Sequence, residues 1–144
     1  MIVDIRKLKF TKDIYNQIIE LYSNFGKINR EVLTYKRLIN IILRLNSNHF
    51  ILFYMDNNTI IGAITVLIEQ KLIHNAKAVG HIEDFVVLEK HRNKGVGYAL
   101  LNYAIKLCTE KRCYKCILDC DKSLENYYNN RGFVERGICM AMYF

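Results

Sequence analysis

Apolar residues recur along this chain with two different periods, and the changes of period divide it into elements. Ile2 to Leu8 reads as a first strand. Ile14, Tyr15, Ile18, Ile19 and Tyr22 return at helical spacing, with Thr11 or Asp13 able to cap the helix they predict. After a loop at Ser23 to Lys27, Tyr35, Leu38, Ile39, Ile42 and Leu45 predict a second amphipathic helix. Phe50 to Met55 predicts a strand, Asp56-Asn57-Asn58 a turn and Thr59 to Gln70 a longer strand. Asparagine tolerates positive φ, so this pair reads as a hairpin. Lys71 to Ala78 is a polar connection, and His81 to Leu88 is strand-like. Leu100, Leu101, Ala104, Ile105 and Cys108 predict a third helix, starting at a glycine pair. Lys115 to Cys120 predicts a strand, Leu124 to Arg131 a short helix stopped by Gly132, and Val134 to Phe144 a final strand.

The resulting order is β-α-α-β-β-β-α-β-α-β. Strands cluster before the central helix and alternate with helices after it. That predicts an α/β (α+β) fold with a single mixed, twisted sheet flanked by helices on both faces. Neither repeats nor low-complexity stretches interrupt the pattern, and 144 residues suit one domain, residues 1–144.

Composition narrows the class. Hydrophobic residues make up 51% and charged residues 24%, which is globular rather than disordered. No apolar run approaches the ~20 residues of a membrane helix. Charge arrives too early after Met1 for a secretory leader, and the C-terminus carries neither a lipidation nor a retention signal. The expected location is therefore cytoplasmic. Five cysteines, an odd number, fit a reducing compartment. Cys113-Tyr114-Lys115-Cys116 has no second pair at zinc spacing, and it leads into a strand rather than opening a helix. Buried free thiols are the simpler reading, and no metal is expected. The net charge of +7 suits a polyanionic partner, although part of the lysine excess fits a merely solvated surface.

One segment carries chemistry. Arg92-Asn93-Lys94-Gly95-Val96-Gly97 lies between a predicted strand and a predicted helix. A helix N-terminus leaves N–H groups unpaired and carries partial positive charge. Glycines let that backbone approach an anion, and Arg92 and Lys94 add full charges. The spacing is neither G-x-G-x-x-G nor G-K-[ST]. It does match R/Q-x-x-G-x-G/A, the pyrophosphate loop of the GNAT acetyltransferase superfamily. Tyr128-Asn129-Asn130-Arg131-Gly132-Phe133 resembles that superfamily's later Y-x-x-x-G-F pattern.

The resemblance narrows further. Gly80-His81-Ile82-Glu83-Asp84-Phe85-Val86-Val87, Cys113 to Cys120 and Ile68 to His74 are similar to segments of glucosamine 6-phosphate N-acetyltransferases. The similarity covers about Ile60 to Phe144 and is looser before that, chiefly through Tyr22 to Gly26. It implies the family's fold and its reaction, which supplies UDP-GlcNAc synthesis. An acetyl group passes from acetyl-CoA, the donor substrate, to the amine of D-glucosamine 6-phosphate. It also implies a homodimer.

Residue by residue, the resemblance places the CoA pyrophosphate on Arg92, Asn93, Lys94, Gly95, Val96 and Gly97. It places the pantetheine on main-chain groups of Phe85, Val86 and Val87. Tyr128 would meet the departing sulfur, although Tyr127-Tyr128 could also simply pack. Asp84 would meet the sugar, with Glu83 ordering the site, and Asp119 would assist the amine proton. In a regular strand Glu83 and Asp84 face opposite ways, which a β-bulge would relax. Lys71 and His74 resemble positions that reach the sugar phosphate across a dimer interface. Leu124 stands where the family commonly has a CoA-contacting asparagine. The chain begins near its first strand, so no N-terminal extension is expected to complete the site. Two alternatives stay open: a peptide or polyamine acceptor, and a basic nucleic-acid-binding domain. The second lacks a basic stripe interleaved with aromatics.

Overall fold

The computed structural model describes residues 1–144. Five strands form one sheet in the order β1-β2-β3-β4-β5: Ile2–Asp4, His49–Asp56, Thr59–Gln70, Ala78–Val87 and Cys113–Ile117. The first four are antiparallel to their neighbours, and β5 runs parallel to β4. The helices are α1 (Lys12–Ser23), α2 (Tyr35–Arg44), a single turn α3 (Ile73–Ala76), α4 (Val96–Glu110) and α5 (Glu125–Asn129).

The sheet separates two cores. On one face β-strand side chains such as Leu52, Ile64, Val66 and Ile82 pack on Val96, Leu100, Leu101 and Ala104 of α4. On the other, Phe53, Ile60, Ala63 and Val86 pack on Ile18 and Leu21 of α1 and Leu38 of α2. β3 is buried from Ile60 to Val66, because helices cover both of its faces there; that is why it reads as a continuous apolar run. Thr11 caps α1 through Ile14 N–H and Thr34 caps α2 through Arg37 N–H, settling the choice between Thr11 and Asp13.

The pattern overreached at three places. The first strand stops at Asp4, whose carboxylate accepts from Arg6 N–H and turns Ile5–Lys7 into a 3-10 turn. The polar connection contains α3, with His74, Asn75 and Ala76 at φ of 55°, 57° and 55°. The final strand is absent: Val134 to Phe144 forms no ladder and is exposed. Its alternating apolar side chains suit a strand, but a strand needs a partner, and within the chain the sheet ends at β5.

Candidate active site

β4 and β5 are paired only from Ala78 to His81, opposite Cys113 to Ile117. Beyond that point β4 continues from Ile82 to Val87 with β3 on one side and no strand on the other. This divergence leaves main-chain groups of Phe85 to Val87 along an open edge. A second irregularity lies within that stretch. Ala63 pairs with Val86 and Thr65 with Glu83, so Asp84 and Phe85 together face the single residue Ile64. Asp84 sits at φ 46°, in the left-handed region. This is the β-bulge that re-aims a carboxylate, and it removes the conflict between Glu83 and Asp84.

At one end of the open edge the chain makes a 3-10 turn, Glu89–His91, and then enters α4. Asn93 and Gly95 take positive φ, 58° and 81°, so that successive amides converge before the helix. The first bond of α4 runs from Ala99 N–H to Gly95 O, and no side chain caps the helix. The amides ahead of Ala99 thus lack a partner within the helix. A Cβ on Gly97 would lie 3.1 Å from the Tyr127 hydroxyl and 3.3 Å from the Phe85 ring. Glycine keeps this contact free of crowding, where a Cβ would press on the Tyr127 hydroxyl and the Phe85 ring. Around Gly95, by contrast, no atom lies within 4 Å of where a Cβ would be. The loop is therefore open above its convergent amides, as a bound pyrophosphate requires. Arg92 is used differently from expectation: its Nε–H donates to Val87 O at 3.1 Å, bracing the loop on β4.

Tyr128 stands across the cleft, on α5. It is 8% exposed and lies edge-on to Tyr127 and Phe133, with centroids 5.1 and 5.8 Å away. Burial, and then the neighbouring Tyr127 hydroxyl, push its own hydroxyl up to about 12. It thus stays protonated near neutrality and can donate a hydrogen bond.

The acceptor side is acidic. Burial, followed by the charges of Asp119 and Asp84, raises the Glu83 carboxyl above its ordinary range. Those three carboxylates therefore share one electrostatic neighbourhood. Sequence reasoning missed their companions. Cys139 donates its thiol proton to Asp119 at 3.1 Å, linking the C-terminal segment to the site. Tyr22 is partly buried; burial first, and then the Asp84 charge, push its hydroxyl upward. Arg131 lies 3.6 Å above the Tyr127 ring and 5.7 Å from that of Tyr98, a cation beside the first turn of α4. Nothing in the spacing of Cys139 or Arg131 announces these contacts. Tyr22 at least falls in the segment that resembles the family.

Lys71 and His74 are not brought to the carboxylates within one chain. The pairs Thr65↔Glu83 and Gln70↔Ala78 lie about 17 Å apart at 3.4 Å per residue. Lys71 instead pairs with Glu69 at 2.6 Å, and His81 meets the same carboxylate at 2.8 Å. His74 stacks on Tyr114 with centroids 4.3 Å apart.

Comparison with known proteins gives the family. Residues 14–133 match the acetyltransferase (GNAT) family. The chain belongs to that family. Among curated relatives, a glucosamine 6-phosphate N-acetyltransferase of Candida albicans is 35% identical over 143 residues, 96% of this chain and 94% of that protein. Glucosamine 6-phosphate N-acetyltransferase 1 of rice is 34% identical over 102 residues, 69% of this chain and 62% of its own. The crystal structure of glucosamine-6-phosphate N-acetyltransferase from Arabidopsis thaliana superposes with a TM-score of 0.83 at 28% identity, covering 100% of this chain and 97% of that one. The mixed sheet with helices on both faces is thus the GNAT fold. The divergence of β4 from β5 and the convergent amides before α4 both lie within the residues that match the family. No helix is long and apolar enough to cross a membrane.

Proposed function

We propose that this GNAT acetyltransferase moves an acetyl group from acetyl-CoA to the amine of D-glucosamine 6-phosphate, giving N-acetyl-D-glucosamine 6-phosphate. The observation that carries the reading is the position of the β4 bulge. The bulge carries Asp84 of the three carboxylates, and β4 runs on from it towards the convergent amides at the start of α4. The curated relatives of that name support the choice of acceptor.

In this reading each residue has a role. Amides of Lys94 to Gly97 hold the pyrophosphate, and the open edge at Phe85 to Val87 pairs with the pantetheine arm. When bound, acetyl-CoA supplies an activated thioester carbonyl. Main-chain N–H groups at the bulge stand ready for the oxyanion that develops on it. Asp84 and Glu83 orient the acceptor. Asp119, with Glu83 poised beside it by its raised affinity for protons, takes the proton that the amine must lose. Tyr128, protonated near neutrality, donates to the departing sulfur.

The phosphate of the acceptor needs positively charged or hydrogen-bonding partners, and Lys71 and His74 lie far from the carboxylates within one chain. We infer that Lys71 and His74 of a second subunit supply them, in a homodimer. Leu72 and Ile73, 94% and 64% exposed, flank those residues with apolar surface. The C-terminal segment adds Ile138, Met140, Met142 and Phe144, all strongly exposed and alternating like a strand without a partner. A cytoplasmic location accords with five free cysteines.

Incubation with acetyl-CoA and glucosamine 6-phosphate should release free thiol, and release no greater than in a no-sugar control overturns the reading. The acidic cluster also suits a polyamine, so the decisive competition sets spermidine or a lysine peptide against the phosphosugar. The phosphosugar is expected to win. Light scattering of the full chain tests the dimer.

A further inference from the structure

Three thiols meet where the last turn of α4 lies over the start of β5, away from the acetyl-transfer cleft. Cys108 continues the buried stripe of Leu100, Leu101 and Ala104 on α4 and is 4% exposed. Cys113 and Cys116 are three residues apart in β5. In a regular strand that spacing sends side chains to opposite faces. The ladder here is not regular: Ala78 pairs with Cys113 and Val79 with Lys115, leaving Tyr114 as an extra residue. The slip turns Cys113 and Cys116 to one face, and both pack against the core cluster that contains Cys108.

Gly80, paired with Cys116, completes the arrangement. A Cβ on Gly80 would fall 2.2 Å from Cys108 Sγ and 3.5 Å from Cys116 Cβ. The Cys108 sulfur therefore occupies the space that any side chain at position 80 would fill, and it does so beside Cys116. The Cys108 and Cys116 thiols are near enough to bias each other's protonation, with Cys113 as a further neighbour of Cys108. Cys120 and Cys139 lie outside this group and are exposed.

We propose that Cys108 and Cys116 form a reversible oxidation site, at which a hydroperoxide converts the thiol pair to a disulfide. The Cys116 thiolate attacks one oxygen of the hydroperoxide. The O–O bond breaks, the other oxygen leaves as alcohol or water after taking a proton, and Cys116 becomes a sulfenic acid. The Cys108 sulfur then attacks the Cys116 sulfur. The S–S bond forms, the S–O bond breaks, and the hydroxyl leaves as water with the Cys108 proton. Two thiols are oxidised by two electrons in total, one hydroperoxide is reduced, and a thiol reductant reverses the change.

The two cysteines are not equivalent. Cys116 is half-buried on an edge strand, where a small oxidant can reach it. The neighbouring Cys108 thiol lowers the Cys116 thiol below its ordinary value against the opposing effect of burial, which favours the thiolate there. Cys108 is enclosed, and its Cys116 neighbour, with burial, pushes its thiol upward; it resolves rather than attacks. A bond between them ties the end of α4 to β5, the strand whose divergence from β4 opens the cleft. The short C-x-x-C spacing is thus incidental, since the reactive partner of Cys116 lies on the helix.

The test reads mass and thiols, independently of acetyl transfer. The full chain is treated with hydrogen peroxide, alkylated and mapped without reduction. Wild type is expected to lose two of its five alkylatable thiols, to yield a Cys108–Cys116 cross-linked peptide and to recover both thiols with dithiothreitol. In Cys108→Ala, Cys116 is expected to be trapped by dimedone as the sulfenic acid. If that variant fails to fold, Cys116→Ser serves instead, and its Cys108 should stay reduced. A cross-link between Cys120 and Cys139, a Cys108–Cys113 bond, or a Cys108→Ala protein whose Cys116 stays unlabelled overturns the proposal.

Discussion

In the proposed function the two halves of the cleft are built from different materials. The donor half is made of backbone: the unpaired edge of β4, and amides that converge because Asn93 and Gly95 take positive φ. The acceptor half is made of side chains: Glu83, Asp84 and Asp119, joined by Tyr22 and Cys139 from distant parts of the chain. Backbone groups are the same in every sequence, so the donor half depends on conformation. The acceptor half depends on chemical identity. Substitutions should therefore damage the first through strain and the second through lost charge.

The largest expected effect belongs to the acceptor half. Asp119→Asn keeps the shape and removes the charge. If Asp119 carries general-base work, kcat should fall by about 10²–10⁴-fold with little change in acetyl-CoA affinity. Steady-state kinetics checks the split, and an equal loss in both parameters breaks the division into halves. A pH profile sharpens it. Burial, then Asp119 and Asp84, raise the Glu83 carboxyl, so removing the Asp119 charge should lower it. The acid limb of the remaining activity should move to lower pH.

Tyr128→Phe falls on the border between the halves. Its hydroxyl is held protonated by burial, and a hydrogen bond to a developing thiolate is charge-assisted, about 1.5–3 kcal/mol. The expected loss is about 10–100-fold in kcat, with the KM for acetyl-CoA nearly constant. Unchanged turnover removes Tyr128 from the chemistry and leaves it as a packing residue against Phe133.

Gly95→Val probes the donor half alone. No atom lies within 4 Å of the new Cβ, so the substitution meets no wall inside the protein. It meets the left-handed backbone at φ 81°, which is strained by roughly 1–2 kcal/mol for a residue with a Cβ, and more for a β-branched one. Acetyl-CoA binding measured by calorimetry should weaken about 5–30-fold, and the melting temperature should fall slightly. Gly95→Asn should recover much of the affinity, because asparagine tolerates positive φ.

The same contrast explains what could be read in the chain. The helices and central strands follow periodicity, because the cores on both faces of the sheet enforce it. The donor loop was legible because its geometry requires glycines at fixed offsets. The bulge at Asp84 was legible only as a contradiction, two adjacent carboxylates that a regular strand would separate. The Cys139–Asp119 contact, the Arg131–Tyr127 stack and the thiol trio were not legible, since they join residues whose sequence separation carries no period. The final strand was overread because alternation records what a segment can pair with, not whether a partner is present. Lys71 and His74 show the same limit: the resemblance marks the residues, while the single chain leaves them far from the carboxylates.

The smallest effect is expected outside both halves, on β1. Asp4 accepts from Arg6 through Nε at 2.9 Å and through a terminal guanidinium nitrogen at 2.6 Å. Burial raises the Asp4 carboxyl, but the Arg6 side-chain and backbone hydrogen bonds outweigh it, leaving the group below its ordinary 3.8. A carboxyl depressed by folding stabilises the protein above its unfolded value, and the contribution is lost as pH falls through the folded value. Arg6→Ala should therefore destabilise by up to about 1 kcal/mol at neutral pH, the upper end for a partly exposed pair. The difference from wild type should shrink as pH drops below 3.8 and Asp4 is protonated in both proteins. Urea melts at neutral and acid pH check this. Acetyl transfer should be unchanged, because Arg6 lies on the far side of β2 and β3 from the cleft. A loss of turnover in Arg6→Ala would mean that the halves are not insulated from the outer edge of the sheet.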